Sequence, residues 1–359
     1  MAAQERKVNS KGTIAVVGDS PFAAFLAGLL ASAHGRETML VGATPSPLRV
    51  PRGPALSIAP LLRPESWRLL LDTVPETLRL LARIGPRLSE RSNVVLGASG
   101  ALQSYALEHS RHLAAGFGQA VEPAVPAPTG FDTAYRVRDA HRIVEAAFWS
   151  AVPDWLARHN VTTIAPGEPL SLRRDGSGTV GGLQADHVVL ADDTAIAAHC
   201  NRYDLDAIAH RVAMTAFRTE PAAPLDDPVR MAMGGDFALT QTPDLALDIV
   251  APGQPADAVR HAGRFLAHPA SVRLAARSSF DALVPRDGAP VFGRLRQGRA
   301  TVVFGLGAGA VFVAPAIARL IAGEPMAAER GWAEARRANR DMSRSPVAEF
   351  PPVTRESVA

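Results

Sequence analysis

Residues 301–315 constrain this chain most. Thr301-Val302-Val303-Phe304 is a β-branched, apolar run, followed by Gly305-Leu306-Gly307-Ala308-Gly309-Ala310 and then by an Ala/Leu/Ile-rich helical pattern that passes Pro315. The order is strand, small-residue turn, helix. Side chains this small let the backbone approach a ligand, and the helix start offers N–H groups that have no intrahelical partner. The same stretch also reads as a tight turn packed for its own sake.

A second unit of this kind opens the chain. Residues 13–17 read as a buried strand, Gly18-Asp19-Ser20-Pro21-Phe22-Ala23 as a turn, and a helix follows to about Ala33. Residues 37–41 then give a second parallel strand, completing a βαβ unit whose crossover helix is apolar at Phe22, Leu26, Leu29 and Leu30. A Pro-rich loop covers 43–54, and Trp67, Leu70, Leu71, Val74, Leu78 and Leu81 predict a helix over 64–84. Residues 116–129 read as an extended connection, and Asp139 as the cap of a long helix to about Arg158. Short strands are expected at 161–164, 170–172 and 181–190. From 210 to 280 the pattern is several strands with at most one helix, around 255–266. There are no internal repeats.

Together with Asp287-Gly288-Ala289-Pro290-Val291-Phe292-Gly293, these segments resemble the D-amino-acid-oxidase-like FAD-dependent oxidoreductases, which include glycine oxidase and sarcosine oxidase. That family opens with a dinucleotide fold and closes with an Asp-Gly-x-Pro-x-x-Gly turn, a strand, and Gly-x-Gly-x-x-Gly before its last helix. Gly305 and Gly307 match the first two late glycines, Ala310 stands for the third, and Pro315 falls where the family has Ala-Pro. The resemblance implies an α/β fold: a Rossmann-like FAD-binding domain, with a parallel sheet and helices, and an inserted, mainly antiparallel α+β substrate domain. Residues 12–80, 135–204 and 285–340 would form the cofactor domain, 81–134 and 205–284 the substrate domain, and 341–359 a loose tail.

The cofactor-binding residues so implied are Gly18, Ser20, Pro21, Phe22, Ala23, Gly42, Arg49, Gly293, Gly305, Leu306, Gly307, Ala308, Gly309 and Ala310. A dinucleotide fingerprint uses three glycines: for the turn, for backbone approach to the diphosphate, and for helix–strand packing. Gly18 fills the first place, Ser20 the second and Ala23 the third. Pro21 suits the first helical position, whereas Asp19 adds negative charge beside a diphosphate. Gly42 stands where the family carries the acid that holds the adenosine ribose. Arg49 and Arg52 follow it, the pattern of a site for a 2′-phosphate. FAD is the expected cofactor, NADP the alternative, and a dinucleotide fold that has lost its cofactor the third possibility. Ala191-Asp192-Asp193-Thr194 stands where the family has Ala-Ala-Gly.

Composition narrows the chemistry. The 359 residues are 47% hydrophobic and 20% charged with net charge +3, which fits a globular protein and shows no basic block for nucleic acid. Lys7 and Lys11 are the only lysines, and both precede the first strand. Pyridoxal-phosphate chemistry and a phosphate-loop lysine are thereby disfavoured. Relatives often set a lysine over the flavin for oxygen, so its absence tilts the expectation from oxidase to dehydrogenase. Cys200 is the only cysteine, which excludes an internal disulfide and a cysteine-built zinc site, and the ten histidines are scattered, so no metal site is expected. The remaining expectations are a cytoplasmic setting, no membrane span, a small-molecule substrate and either a homo- or a hetero-oligomer. The resemblance also implies a substrate-clamping arginine just before the 287–293 turn. Arg277 is that candidate, ahead of Arg273, since a planar guanidinium matches a carboxylate. Hydride transfer to a flavin needs no nucleophile, and no catalytic residue is assigned. An alternative function is a non-catalytic subunit of this fold in a larger assembly, or an NADP- or flavin-dependent hydroxylase.

Overall fold

The computed structural model describes residues 12–342 apart from 45, 47, 270–271 and 296–299. Lys7, Lys11 and most of the expected tail lie outside these residues.

Among the described residues, three sheets organise the chain. The first has six strands in the order β16-β17-β10-β1-β2-β6. They are β1 (Ile14–Val17), β2 (Thr38–Val41), β6 (Thr162–Ile164), β10 (His187–Leu190), β16 (Val291–Arg294) and β17 (Thr301–Phe304). All pairs are parallel except β16 with β17. Every residue of β1, β2 and β17 is buried, because layers cover both faces. Ile14, Val16, Leu40, Val189 and Val303 pack toward α1 (Pro21–Ser32), α2 (Pro64–Ile84), α4 (Glu145–Arg158) and α8 (Ala310–Ala322). The alternate residues, including Ala15, Val17, Val41, Val188 and Val302, pack toward a three-stranded sheet and two short helices. These are β7 (Leu170–Leu172), β8 (Gly178–Val180), β9 (Leu183–Ala185), α5 (Asp193–His199) and α6 (Arg202–Ile208).

Helix α1 is apolar nearly all round, as a helix buried between a sheet and other helices must be. Its Gly28 is dictated by packing: a Cβ there would lie 2.0 Å from the Trp155 ring. Helix α2 starts with Pro64 at a position where the missing N–H is not needed. It docks on α8, and the Thr77 hydroxyl donates to the Phe312 carbonyl at 3.0 Å.

The remaining eight-stranded sheet runs β15-β11-β14-β13-β12-β3-β5-β4. Its members are β3 (Ser89–Ala98), β4 (Val121–Pro123), β5 (Thr133–Ile143), β11 (Ala209–Thr219), β12 (Val229–Ala232), β13 (Ala238–Gln241), β14 (Leu247–Pro252) and β15 (Leu274–Pro285). Only β12 with β3 is parallel. Helices α3 (Ala101–Gly116) and α7 (Pro255–Gly263) flank it, and α9 (Ala327–Ala335) follows α8. The architecture is thus α/β, a parallel sheet with helices joined to a mainly antiparallel sheet. The expected boundary at 134/135 falls inside β5, which pairs along its length with the eight-stranded sheet.

The expectation that Asp139 caps a helix is corrected. Asp139 lies within β5 at φ +58, and α4 begins six residues later at Glu145. Pairing with β3 decides this. Val137 opposes Val94 and Ala140 opposes Ser92, with Asp139 in the bulge between them.

Candidate functional site

Strands β17, β10, β1 and β2 are neighbours and parallel, so the turns leaving their carboxyl ends share one edge of the sheet. The chain leaves β1 toward β2 on one side, while β10 pairs on the other. That reversal opens a crevice in which α/β folds hold ligands.

The turn after β1 is tightly built. Gly18 donates its N–H to Val41, and a Cβ on it would stand 2.9 Å from Ala23 and 3.0 Å from an Asp192 oxygen. Ser20 caps α1, its hydroxyl accepting the Ala23 N–H at 3.1 Å. Asp19 Oδ1 accepts the Thr44 N–H at 3.0 Å and the Arg49 guanidinium at 2.6 Å. Asp192, at the end of β10, has two tasks. One oxygen caps α5 by accepting the Ala195 N–H at 2.7 Å, and the other accepts the Asp19 N–H. Its neighbour Asp193 is half-buried, accepts the Leu283 N–H at 3.0 Å, and is pushed up to about 7, chiefly by burial of the carboxyl.

The other strand ends present bare backbone. Gly42 adopts φ +85, and nothing lies within 4 Å of where its Cβ would stand. Gly305 and Gly307 adopt φ +73 and +56, and Gly293 in β16 adopts +109. Leu306 is buried, Gly307–Gly309 form one tight helical turn, and α8 begins at Ala310. The Ala308 carbonyl accepts the Leu56 N–H at 2.8 Å, which clips the loop after β2 onto this late turn. Asp287 accepts two bonds from Arg340, both 2.8 Å, and the Ala289 N–H at 3.1 Å, so this acid holds the turn and the C-terminal segment together.

Beside the crevice lies a cavity of about 420 Å³. Pro21 and Arg49 line it, with residues 51 and 53–55 of the β2 loop, residues 143–147 and Trp149 at the start of α4, and Arg142, Arg218, Thr240 and Asp248 of the large sheet. Its charges are mostly committed. Arg218 pairs with Asp244 at 2.9 Å and Asp248 at 3.4 Å; Arg142 bonds to Glu90 and to the Gln241 carbonyl. Burial pushes the Asp248 carboxyl up to about 6 and raises that of Glu145. Glu145 accepts the Trp149 indole N–H at 3.1 Å.

Of the residues singled out by sequence, Pro21 and Arg49 reach this cavity; none of residues 305–310 does. Arg277 is exposed and lines a different cavity of about 240 Å³, with Phe217, the residue opposite it on β11. The next residue, Arg218, points to the other face of the sheet and lines the large cavity. Arg142, Glu145, Trp149, Arg218 and Asp248 escaped the sequence reading. A lone arginine in the apolar run 212–219 was the one signal available for Arg218. Among the described residues no cluster of three His, Cys, Asp or Glu side chains is placed to hold a metal, and no single helix is long and apolar enough to cross a membrane.

The implied FAD was tested against these residues. Gly42 at the end of β2 leaves open space beside bare backbone, whereas Gly305 at the end of β17 is set against Pro285, 2.6 Å from where its Cβ would stand. At the β1 turn the clasp is narrower. Pro21 has no N–H, those of Ala23 and Asp19 already have partners, and the groups left at the helix start are the Ser20 and Phe22 N–H. Arg49 is the adjacent cation, held by Asp19. The residues fit the cofactor, with a weakened hold on its diphosphate.

No family model and no curated protein sequence matches the chain. Solved structures do match in fold. Iminodiacetate oxidase from Chelativorans sp. BNC1 superposes with a TM-score of 0.64 at 15% identity, over 88% of this chain and 96% of that one. Glycine oxidase from Geobacillus kaustophilus gives 0.62 at 15%, over 96% and 99%. Fructosamine oxidase from Aspergillus fumigatus gives 0.70 at 11%, over 94% and 92%. The chain therefore has the fold of these amine and amino-acid oxidoreductases along nearly its whole length.

Proposed function

We propose that the protein is an FAD-dependent oxidoreductase that takes a hydride from a C–H adjacent to nitrogen in a small amine or amino acid, and that it is a dehydrogenase rather than an oxidase. The observation that carries this reading is the 420 Å³ cavity opening at the N-terminus of α1, beside the strand-end crevice of a fold shared with oxidoreductases. Gly18, Ser20, Phe22 and Ala23 would hold the diphosphate and Gly42 the adenosine side; Arg49 and residues 53–55, joined to the late turn through Leu56 and Ala308, would bring the ring end to the cavity, with Gly293 and residues 305–310 behind it. The bound flavin would supply the hydride acceptor. The protein's own share is to hold the substrate in the cavity, orient its C–H and keep water out. The dehydrogenase preference rests on the lysines: within residues 12–342 none is available to stand over the ring.

The purified protein tests this directly. Yellow protein that releases a flavin on denaturation supports the reading. Colourless protein that gains no thermal stability from added FAD defeats it, because a ligand bound only by the folded state must raise apparent stability. Stabilisation by NADP alone would move the assignment to an NADP-dependent enzyme.

Asp19 and Asp192 favour a second reading. Two carboxylates at the turn that faces the diphosphate suit a subunit of this fold that binds dinucleotide weakly or not at all. Its signature is the colourless outcome, with co-purification of a catalytic partner.

A further inference from the structure

We propose that the 420 Å³ cavity binds a small organic cation without a carboxylate, such as a primary monoamine or diamine, with Glu145 and Asp248 as its anchors and the Trp149 ring as its wall. This narrows the substrate of the proposed oxidoreductase and rests on that reading for its catalytic consequence. The binding claim can be tested without a cofactor.

The distribution of charge carries the argument. Three arginines line the cavity, and each is held by the chain's own oxygens. Arg49 is on Asp19, Arg218 on Asp244 and Asp248, and Arg142 on Glu90 and the Gln241 carbonyl. A substrate carboxylate would have to share a guanidinium already neutralised by one of these acids. Asp248 and Glu145 are placed the other way. Asp248 meets Arg218 only at 3.4 Å, and Arg218 is held more closely by Asp244 at 2.9 Å. Glu145 has an indole N–H as its partner and no arginine within ion-pair range.

Arg49 and Arg52 of the β2 loop act on Glu145 from one side and favour its charge; Asp248 acts from the large sheet and opposes it, and burial opposes it most. A cation beside Glu145 and Asp248 offsets the cost of burying their charges and their mutual repulsion. Trp149 supplies an aromatic wall, over which the Arg49 guanidinium already stands 5.7 Å from the ring centroid. The apolar remainder, Ile143, Val144 and Ala147 among it, suits a short alkyl chain.

The test is isothermal titration calorimetry on the full chain, with n-butylamine, putrescine, glycine and butyrate as probes. The amines should bind, with glycine and butyrate at least about tenfold weaker. Glu145→Gln should weaken amine binding about tenfold, the scale of one charge-assisted hydrogen bond, and Asp248→Asn should weaken it in the same direction. Butyrate or glycine binding as tightly as butylamine would overturn the proposal. So would amine affinity left unchanged by both substitutions. Should Glu145→Gln fail to fold, the wild-type probe series and Asp248→Asn still decide the matter. Protein that binds butylamine but holds no flavin would sink the oxidoreductase reading and leave this one standing. Flavin-loaded protein that prefers butyrate would do the reverse.

Discussion

Asp193 should make this protein lose stability as pH rises through neutrality, and Asp193→Asn should remove that loss. The Asp193 side chain is half-buried and accepts the Leu283 N–H, and burial of its carboxyl, with the Asp192 charge added, raises it to about 7. An unfolded chain returns it to about 3.9. With the folded value the higher, the native state binds the extra proton between the two. The contribution is therefore fully present below about pH 4 and is lost as pH climbs through 7. A shift of about 3 units corresponds to about 4 kcal/mol as an upper estimate at the order-of-magnitude level. Asn retains an oxygen for the Leu283 N–H but buries an amide without a partner, which costs about 1–3 kcal/mol. The informative readout is accordingly the slope and not the absolute stability. Urea midpoints measured from pH 5 to pH 8 should fall in the wild type and fall less in Asp193→Asn, so that the variant gains on the parent as pH rises. Parallel curves for the two proteins would refute the assignment of the proton to Asp193.

Three further substitutions probe other parts of the argument. Asp192→Asn removes a charge from the β1 turn and frees the Asp19 N–H, so FAD affinity measured by flavin fluorescence should rise about tenfold; unchanged or weaker binding would show that this turn does not face the diphosphate. Gly42→Glu restores an acid at an open position whose φ of +85 strains any side chain. It should lower stability by about 1–3 kcal/mol yet tighten FAD binding in the same fluorescence titration, and a loss of affinity would reject the ribose placement. Gly28→Ala drives a methyl into the Trp155 ring and should cost about 1–3 kcal/mol in chemical denaturation; a change within about 0.5 would mean that α1 and α4 have slack between them.

Segments whose signals are local were legible in the sequence. Helix α2 falls on 64–84 as read, because Pro64 marks its start and three- and four-residue apolar steps persist to Leu81. Strands β1, β2 and β17 are continuous apolar runs, which only a sheet covered on both faces explains. Helix α3 went unread because it buries only Leu107, Ser110 and Ala114, too sparse a stripe to mark a period. Asp139 imitates a cap in sequence, but the ladder with β3 outweighs it. The cavity was the least legible feature, since Glu145, Arg218 and Asp248 come from a helix start and two strands far apart in the chain. Arg277 lines the smaller cavity, while Arg218, the neighbour of its cross-strand partner Phe217, lines the larger one, because pleating turns successive side chains to opposite faces.

The strand order has a consequence for how the protein is made. Strand β10 pairs with β1 on one side and with β17 on the other, and β17 consists of residues 301–304. Throughout synthesis of the intervening hundred or so residues, a nascent chain emerging from the ribosome carries β10 as an unshielded parallel edge with its apolar side chains in place. That edge is closed only once residues 301–304 have been translated, so recombinant yield should respond to slowed expression or added chaperones more than to any change at the surface of the finished protein.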